Sequence, residues 1–124
     1  MVRVFLVEDS SPICERLEAM LASIAGATTI GRARGADEAV RAILSARPDA
    51  VLLDFRLAQG TGFDVLRAVH EQAPEIDLYV LSNHAAEPYR RRAQQFGARG
   101  FFDKTIEFGR VRDTLAARAE RAQN

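Results

Sequence analysis

The feature that most constrains this chain is a regular alternation of short apolar runs with segments of helical periodicity. Three runs are clear and two are weaker: Val2–Val7, Val51–Leu53 and Leu78–Leu81, then Gly100–Phe102 and Thr28–Ala33. Short, continuously apolar runs are typical of strands that are buried on both faces of a sheet. The alternation therefore predicts an α/β fold in which a doubly wound parallel sheet carries helices on both faces.

Five helices are predicted between and after these runs. The first has an apolar stripe at helical spacing behind cap residues Ser10 and Ser11 and an early Pro12. A fourth, weaker helix is opened by Pro88 and closed by Gly97. The remaining helices are predicted at Asp37–Ala46, Phe63–Gln72 and Phe108–Ala119, with a frayed tail over 118–124.

Length and composition favour a single small domain that neither spans a membrane nor binds nucleic acid through net charge. The 124 residues predict one domain spanning 1–124. Lys plus Arg and Asp plus Glu each number 17, so the formal charge is zero, and direct binding to nucleic acid is not expected. No apolar run approaches a membrane span, and the single cysteine, Cys14, favours a reducing compartment. We therefore expect a cytoplasmic domain without membrane contact.

Polar side chains follow the predicted strands at the points where the strands end. Glu8 and Asp9 follow the first run, and Asp54 follows Val51–Leu53. Ser82 and Lys104 follow the two later runs. Parallel strands end at the same edge of a sheet, and doubly wound folds bind ligands at that edge, at the switch point in strand order. These residues are thus predicted to form one site.

The chemistry of these residues points to phosphoryl transfer. Three gathered carboxylates would repel one another unless a cation intervened. A few oxygen ligands, with positions left for water or phosphate, favour Mg²⁺ over Zn²⁺. Lys104 would neutralise a phosphoryl oxygen, Ser82 would donate a hydrogen bond to another, and a carboxylate would attack.

Each residue taken alone has a simpler interpretation. Glu8 and Asp9 are about as compatible with capping the first helix as with binding metal. Ser82 alone is more typical of a turn, and Lys104 alone is more typical of a solvated surface. The placement of one functional group at each strand end favours a site over these separate roles.

Other catalytic motifs are incomplete. The Gly-Thr-Gly of residues 60–62 is followed by Val65 where a dinucleotide fingerprint requires glycine. There is no Walker lysine motif, and His70 and His84 lack the spacing of metal ligands. The sequence therefore does not predict a dinucleotide, P-loop or zinc site.

The chain resembles the receiver domain of two-component response regulators over essentially its full length. The matching segments are residues 5–9 (FLVED), 51–54 (VLLD), 60–66 (GTGFDVL), 81–82 (LS) and 97–104 (GARGFFDK). The resemblance implies a flavodoxin-like fold with five helices and strand order 2-1-3-4-5. It also implies a signalling switch that catalyses only its own phosphorylation and dephosphorylation.

The resemblance also assigns roles to residues. It implies that Asp54 accepts a phosphoryl group from a sensor histidine kinase or phosphotransfer protein. It implies that Asp9, Asp54 and the backbone carbonyl of Arg56 hold Mg²⁺, with Glu8 acting through water. Ser82 would move toward the phosphoryl group, and Phe101 would be the aromatic residue that turns inward with it.

Three positions depart from the usual family pattern. Thr105 follows Lys104 where many receivers have proline, so a cis peptide is not expected there. Asn83 is larger than the residue usual beside the switch serine, and Phe101 lacks a hydroxyl group.

Two classes of function remain open from the sequence: a phosphorylatable switch, and a receiver-like adaptor that binds partners without phosphate. The complete set of site residues favours the switch. Output is expected by contact with a downstream protein, through the fourth helix, fifth strand and fifth helix, with Arg90, Arg91 and Arg92 on that face. The chain is expected to be a monomer or a weak dimer.

Overall fold

Strands and helices alternate along the whole of the described chain. A computed structural model describes residues 1–83 and 87–122. The strands are β1 (Val2–Val7), β2 (Ala27–Ala33), β3 (Ala50–Asp54), β4 (Asp77–Ser82) and β5 (Gly100–Asp103). The helices are α1 (Ser11–Ala22), α2 (Ala36–Ala46), α3 (Gly62–Gln72), α4 (Glu87–Gln95) and α5 (Phe108–Ala122). His84 lies outside the described residues.

The five strands form one parallel sheet in the order β2-β1-β3-β4-β5, as predicted. The direction of strand progression reverses between the neighbours β1 and β3, which places the switch point there. In folds of this kind the connections on the two sides of the switch point diverge and leave a crevice. The sheet topology therefore brings the ends of β1 and β3 to the mouth of that crevice.

Helices cover both faces of the sheet because alternate strand residues point in opposite directions. Phe5, Val7 and Leu53 belong to the core beneath α2, α3 and α4. Val4 and Leu52 belong to the other core, beneath α1 and α5. Nearly all of these strand side chains are fully buried, which explains why the sequence shows continuous apolar runs rather than alternation.

The helix starts near the site are fixed by local side-chain caps. The Ser10 hydroxyl accepts a hydrogen bond from the N–H of Ile13 at 3.4 Å and starts α1. Thr61 and Asp64 form a capping box at the start of α3, each side chain bonding the backbone N–H of the other residue. These caps end the loops that follow β1 and β3.

Three predicted boundaries need correction. Asp54 and Ser82 were placed after their strands but are the last residues of β3 and β4, in register with Leu81 and Asp103. The frayed tail was predicted from 118, whereas α5 continues to Ala122. The helix extends because Ala119 is buried and Arg118 pairs with Asp77 at 3.0 Å.

Helix α4 is attached more weakly than the other helices. Ala93 is its only buried residue. Tyr89 instead packs edge-on against Phe55, whose ring meets Phe63, and Phe63 in turn meets Phe96 beyond the end of α4. An aromatic chain, rather than an aliphatic stripe, thus joins α4 to the loop after β3.

Among the described residues, no helix has both the length and the apolar character that crossing a bilayer would require.

Candidate functional site

The predicted carboxylates meet at the switch point. Glu8 follows β1 and is 2% exposed, and Asp54 ends β3 at 7% exposure. Asp9 is half-buried beside them. One carboxylate oxygen from each of the three residues lies within 4.8 Å of the others. The structure therefore brings together the three acids that the strand-end pattern selected.

Lys104 reaches this cluster from the end of β5. Its Nζ lies 2.8 Å from Glu8 Oε2 and 3.0 Å from Asp54 Oδ1, with the lysine side chain only 10% exposed. Three carboxylates against one ammonium group leave two net negative charges when all are ionised. The lysine therefore offsets only part of the repulsion.

Burial and charge shift the pKa values at this cluster. The pKa of Glu8 is raised from 4.5 to about 7, chiefly because its carboxylate is buried and also because Asp54 repels it, despite the opposing effect of Lys104. Burial by itself would lower the pKa of Lys104, but its hydrogen bonds to Glu8 and Asp54 outweigh burial and raise it. Repulsion between the clustered carboxylates, which the sequence predicts, thus contributes to the raised pKa of Glu8, but burial is the larger effect.

The loop after β5 is held by side-chain and backbone hydrogen bonds. Asp103 Oδ1 accepts the N–H groups of Thr105 at 2.7 Å and Ile106 at 3.2 Å. The N–H of Lys104 donates to the carbonyl of Ser82 at 2.9 Å. No cis peptide occurs in the described chain. An aspartate-capped turn therefore orders the loop where many receivers have proline.

A cleft of about 140 Å³ opens beside Asp54 and is lined by Asp54, Phe55, Arg56, Ser82 and Asn83. Ser82 is buried at its wall, whereas Arg56 and Asn83 are exposed at its rim. The cleft thus joins the end of β3 to the end of β4, next to the acidic cluster.

The floor of this region requires a glycine at position 62. Its N–H donates to the carbonyl of Phe55 at 2.7 Å, and a Cβ at this position would collide with the backbone carbonyl of Asp54. A side chain would therefore push Asp54 out of place. The sequence pattern marks residues 60–62 as part of a segment that resembles receivers, but the close approach of Gly62 to Asp54 is visible only in the structure.

Phe101 is buried at 6% exposure, with the guanidinium of Arg90 5.3 Å from the centre of its ring. Arg90 was predicted on the exposed face of the fourth helix. Instead it is partly buried and donates to the carbonyl of Phe101 at 2.7 Å. It also pairs with Glu107 at 2.7 Å. Arg90 therefore contacts residues within the domain and does not belong to the exposed face of α4.

Sequence reasoning missed Asp103, Glu107 and the inward role of Arg90. Asp103 stands two residues before Thr105, which is a recognisable spacing for an aspartate turn. Arg90 and Glu107 are 17 positions apart on different elements, so no local pattern pairs them.

The donor set fits a hard divalent cation. The three carboxylates offer only oxygen atoms as ligands. After Lys104 is counted, the ionised cluster keeps two negative charges, which match the charge of Mg²⁺. A dication there would also relieve the repulsion that helps to raise the pKa of Glu8.

The fold and site together define a doubly wound α/β domain with an acidic, lysine-bearing centre at its switch point. The family model described as the response regulator receiver domain matches residues 4–116. The chain therefore belongs to the receiver domain family of response regulators.

Curated relatives are longer than this chain. The chain is 31% identical over 107 residues to a DNA-binding transcriptional activator, DevR/DosR, of Mycobacterium tuberculosis, covering 86% of this chain and 49% of the relative. It is 28% identical to the response regulator GacA of Pseudomonas viridiflava, with coverage of 84% and 49%. The chain thus spans about half the length of these relatives.

Solved structures share the fold. The receiver domain of a putative response regulator NarL from Mycobacterium tuberculosis matches with a TM-score of 0.86 and 25% identity, over 96% of each chain. A CheX-CheY-BeF3-Mg complex from Borrelia burgdorferi matches with a TM-score of 0.86 and 22% identity, over 94% of this chain and 87% of the other.

Proposed function

We propose that this chain is a phosphorylation-dependent signalling switch in which Asp54 accepts a phosphoryl group from a histidine kinase or phosphotransfer protein. One observation carries the proposal. Asp54 ends a buried strand, opens onto a cleft, and lies 3.0 Å from Lys104 and within reach of two further carboxylates. That arrangement combines a nucleophile with the charge partners that phosphoryl transfer requires.

In the proposed reaction a carboxylate oxygen of Asp54 forms a bond to phosphorus as the bond from phosphorus to the donor's histidine nitrogen breaks. Lys104 is already beside Asp54 and would neutralise a phosphoryl oxygen. Ser82, at the wall of the cleft, would donate a hydrogen bond to a second oxygen. The products are an acyl phosphate and the free donor histidine.

The proposed metal site uses Asp9, Asp54 and the backbone carbonyl of Arg56 directly, with Glu8 acting through water. Bound Mg²⁺ would neutralise charge on the phosphoryl group. The chain's own contribution is to hold the carboxylates together at the ends of β1 and β3. Glu8 is paired with Lys104 and is the most deeply buried of the three clustered acids, which supports an indirect role for it.

The function is tested with acetyl phosphate as a small phosphodonor. We expect the intact mass to rise by one phosphoryl group in Mg²⁺ and to stay unchanged when a chelator removes the metal, because the clustered negative charge then opposes an anionic donor. Labelling that is equally fast without metal would contradict the proposed role of Mg²⁺. Partner binding without any labelling would favour the adaptor instead.

The proposed output is contact with a downstream protein across α4, β5 and α5, from a cytoplasmic domain that is a monomer or weak dimer. Arg91 and Arg92 remain exposed and border a shallow cleft of about 220 Å³ with Pro88 and Gln95. Since Arg90 is engaged internally, these two arginines supply the exposed positive charge of α4. An acidic partner patch would complement it. This domain's zero net charge offers no general attraction to nucleic acid.

Charge reversal tests this output surface. With the phosphoryl mimic beryllofluoride and Mg²⁺ present, we expect Arg91→Glu/Arg92→Glu to weaken partner capture about tenfold, mainly through slower association. The matched control is Arg34→Glu/Arg41→Glu, which changes net charge equally on exposed residues at and near α2. Equal loss in both variants would indicate a net-charge effect and would reject this surface.

A further inference from the structure

Arg90, in the first turn of α4, contacts two parts of the β5 region at once. Its Nη1 donates to the backbone carbonyl of Phe101 at 2.7 Å, and its Nη2 lies 2.7 Å from Glu107 Oε1. The guanidinium also covers the ring of Phe101. Its side chain is 31% exposed and that of Glu107 is 12% exposed, so the ion pair is only weakly screened by solvent.

Glu107 extends this connection into the loop that presents Lys104. Its Oε1 also accepts the backbone N–H of Asp103 at 2.9 Å, immediately before Lys104. The N–H of Asp103 and the guanidinium of Arg90 together lower the pKa of Glu107, so the carboxylate stays ionised. The other carboxylate oxygen of Glu107, Oε2, pairs at 2.7 Å with Nη1 of Arg110, whose side chain is exposed to solvent.

At the start of this loop, the ammonium group of Lys104 forms an ion pair with the carboxylate of Asp54 at 3.0 Å. Contacts therefore run from Asp54 through Lys104, the backbone of Asp103 and the carboxylate of Glu107 to Arg90. The neighbouring residue on α4, Tyr89, packs on Phe55, which directly follows Asp54. The consecutive residues Tyr89 and Arg90 of α4 are thus linked to Asp54 by two separate sets of contacts, one through Phe55 and the other through Glu107 and Lys104.

We propose that Arg90 and Glu107 are positioning residues that couple the occupancy of Asp54 to the position of α4. The inference rests on the proposed phosphorylation of Asp54. When an Asp54 oxygen becomes bonded to phosphorus or to beryllium, Lys104 exchanges its contact with the bare carboxylate for one with the new group. The loop follows Lys104, and Glu107 transmits the change to Arg90. Because α4 buries only Ala93, its position depends strongly on this pair.

The test measures hydrogen exchange of α4 amides with and without Mg²⁺ and beryllofluoride. The variants are Arg90→Met and Glu107→Gln, the second of which keeps an acceptor for the Asp103 N–H. The controls are Arg91→Met, an exposed neighbour on the same helix, and Arg110→Met, which loses a Glu107 ion pair that does not involve α4. Acetyl phosphate labelling is followed in every variant.

In the wild type we expect beryllofluoride to change exchange across α4. In Arg90→Met the change should fall to less than about half of the wild-type value while labelling of Asp54 persists. Without ligand, α4 in that variant should exchange about threefold faster or more, because its ionic attachment is gone. Arg90→Met/Glu107→Gln should show little further loss, since both substitutions remove one connection. Both controls should resemble the wild type.

A full α4 response in Arg90→Met would overturn the coupling role, and so would equal losses in Arg91→Met or Arg110→Met. A wild type that is labelled but shows no response in α4 would overturn the coupling while leaving the proposed function intact. A wild type that is not labelled at all would overturn the proposed function, and the coupling with it.

Discussion

Replacing Asp54 with asparagine is expected to abolish phosphoryl labelling by acetyl phosphate in Mg²⁺, as measured by intact mass. The neutral amide is a poor nucleophile and removes one of the three clustered carboxylates. The shape of the side chain is nearly unchanged, so the fully buried neighbours Leu53 and Val80 should keep the fold in place. The loss should therefore reflect chemistry rather than unfolding, which circular dichroism of the variant would verify.

The matched control for this experiment is Asp113→Asn, on the exposed side of α5, where the carboxylate is 78% exposed. This variant should be labelled like the wild type. If Asp54→Asn were labelled to the same extent as the control, the phosphoacceptor would be another residue. Peptide mapping of the wild-type adduct would then identify it.

The second large effect concerns stability without metal. Glu8 has a pKa near 4.5 when unfolded and about 7 in the folded chain. Between these values the folded state holds the proton more tightly, so the stability of the metal-free protein should fall as pH rises from 4.5 to 7 and then level off. Above pH 7, where Glu8 is ionised in both states, this pKa shift lowers the free energy of unfolding by about 3 kcal/mol.

Glu8→Gln removes this penalty. In chelator, urea denaturation should show the variant to be more stable than the wild type by up to about 3 kcal/mol at pH 8, with the difference disappearing near pH 5. Glu15→Gln, an exposed change on α1, should follow the wild type at both pH values. Added Mg²⁺ should reduce the advantage of Glu8→Gln by stabilising the wild type. A difference that does not depend on pH would show that burial of the Glu8 charge is not its origin.

Most of the fold could be predicted because its signals are local. The strands β1, β3 and β4 are largely buried on both faces, so they appear as nearly continuous apolar runs, whereas β2 is mostly half-buried and has a weaker signal. Helix α1 is marked by its serine cap and apolar stripe. Errors fell at the ends of elements, where tertiary contacts decide the boundary. Asp54 stays in β3 because β4 pairs with it, and α5 continues because Ala119 packs on the sheet.

The clustering of the polar side chains at the strand ends could be predicted for a related reason. In a parallel sheet every strand ends at the same edge, so residues that follow strands in the sequence converge in space. Glu8, Asp54 and Lys104 are brought into contact by topology alone, although Lys104 and Glu8 are 96 positions apart. The raised pKa of Glu8 follows only after burial is known, since no sequence pattern reports the exposure of one carboxylate.

The sequence alone determined the order of elements, the buried stripe of α1, and the set of polar residues at the strand ends. The tertiary structure decided which long side chains near the site point inward. Arg90 resembles Arg91 and Arg92 in the sequence, yet only the packing of α4 against β5 directs its guanidinium to Phe101 and Glu107. A long flexible side chain has many rotamers of similar energy, and the choice among them depends on partners supplied by distant parts of the chain.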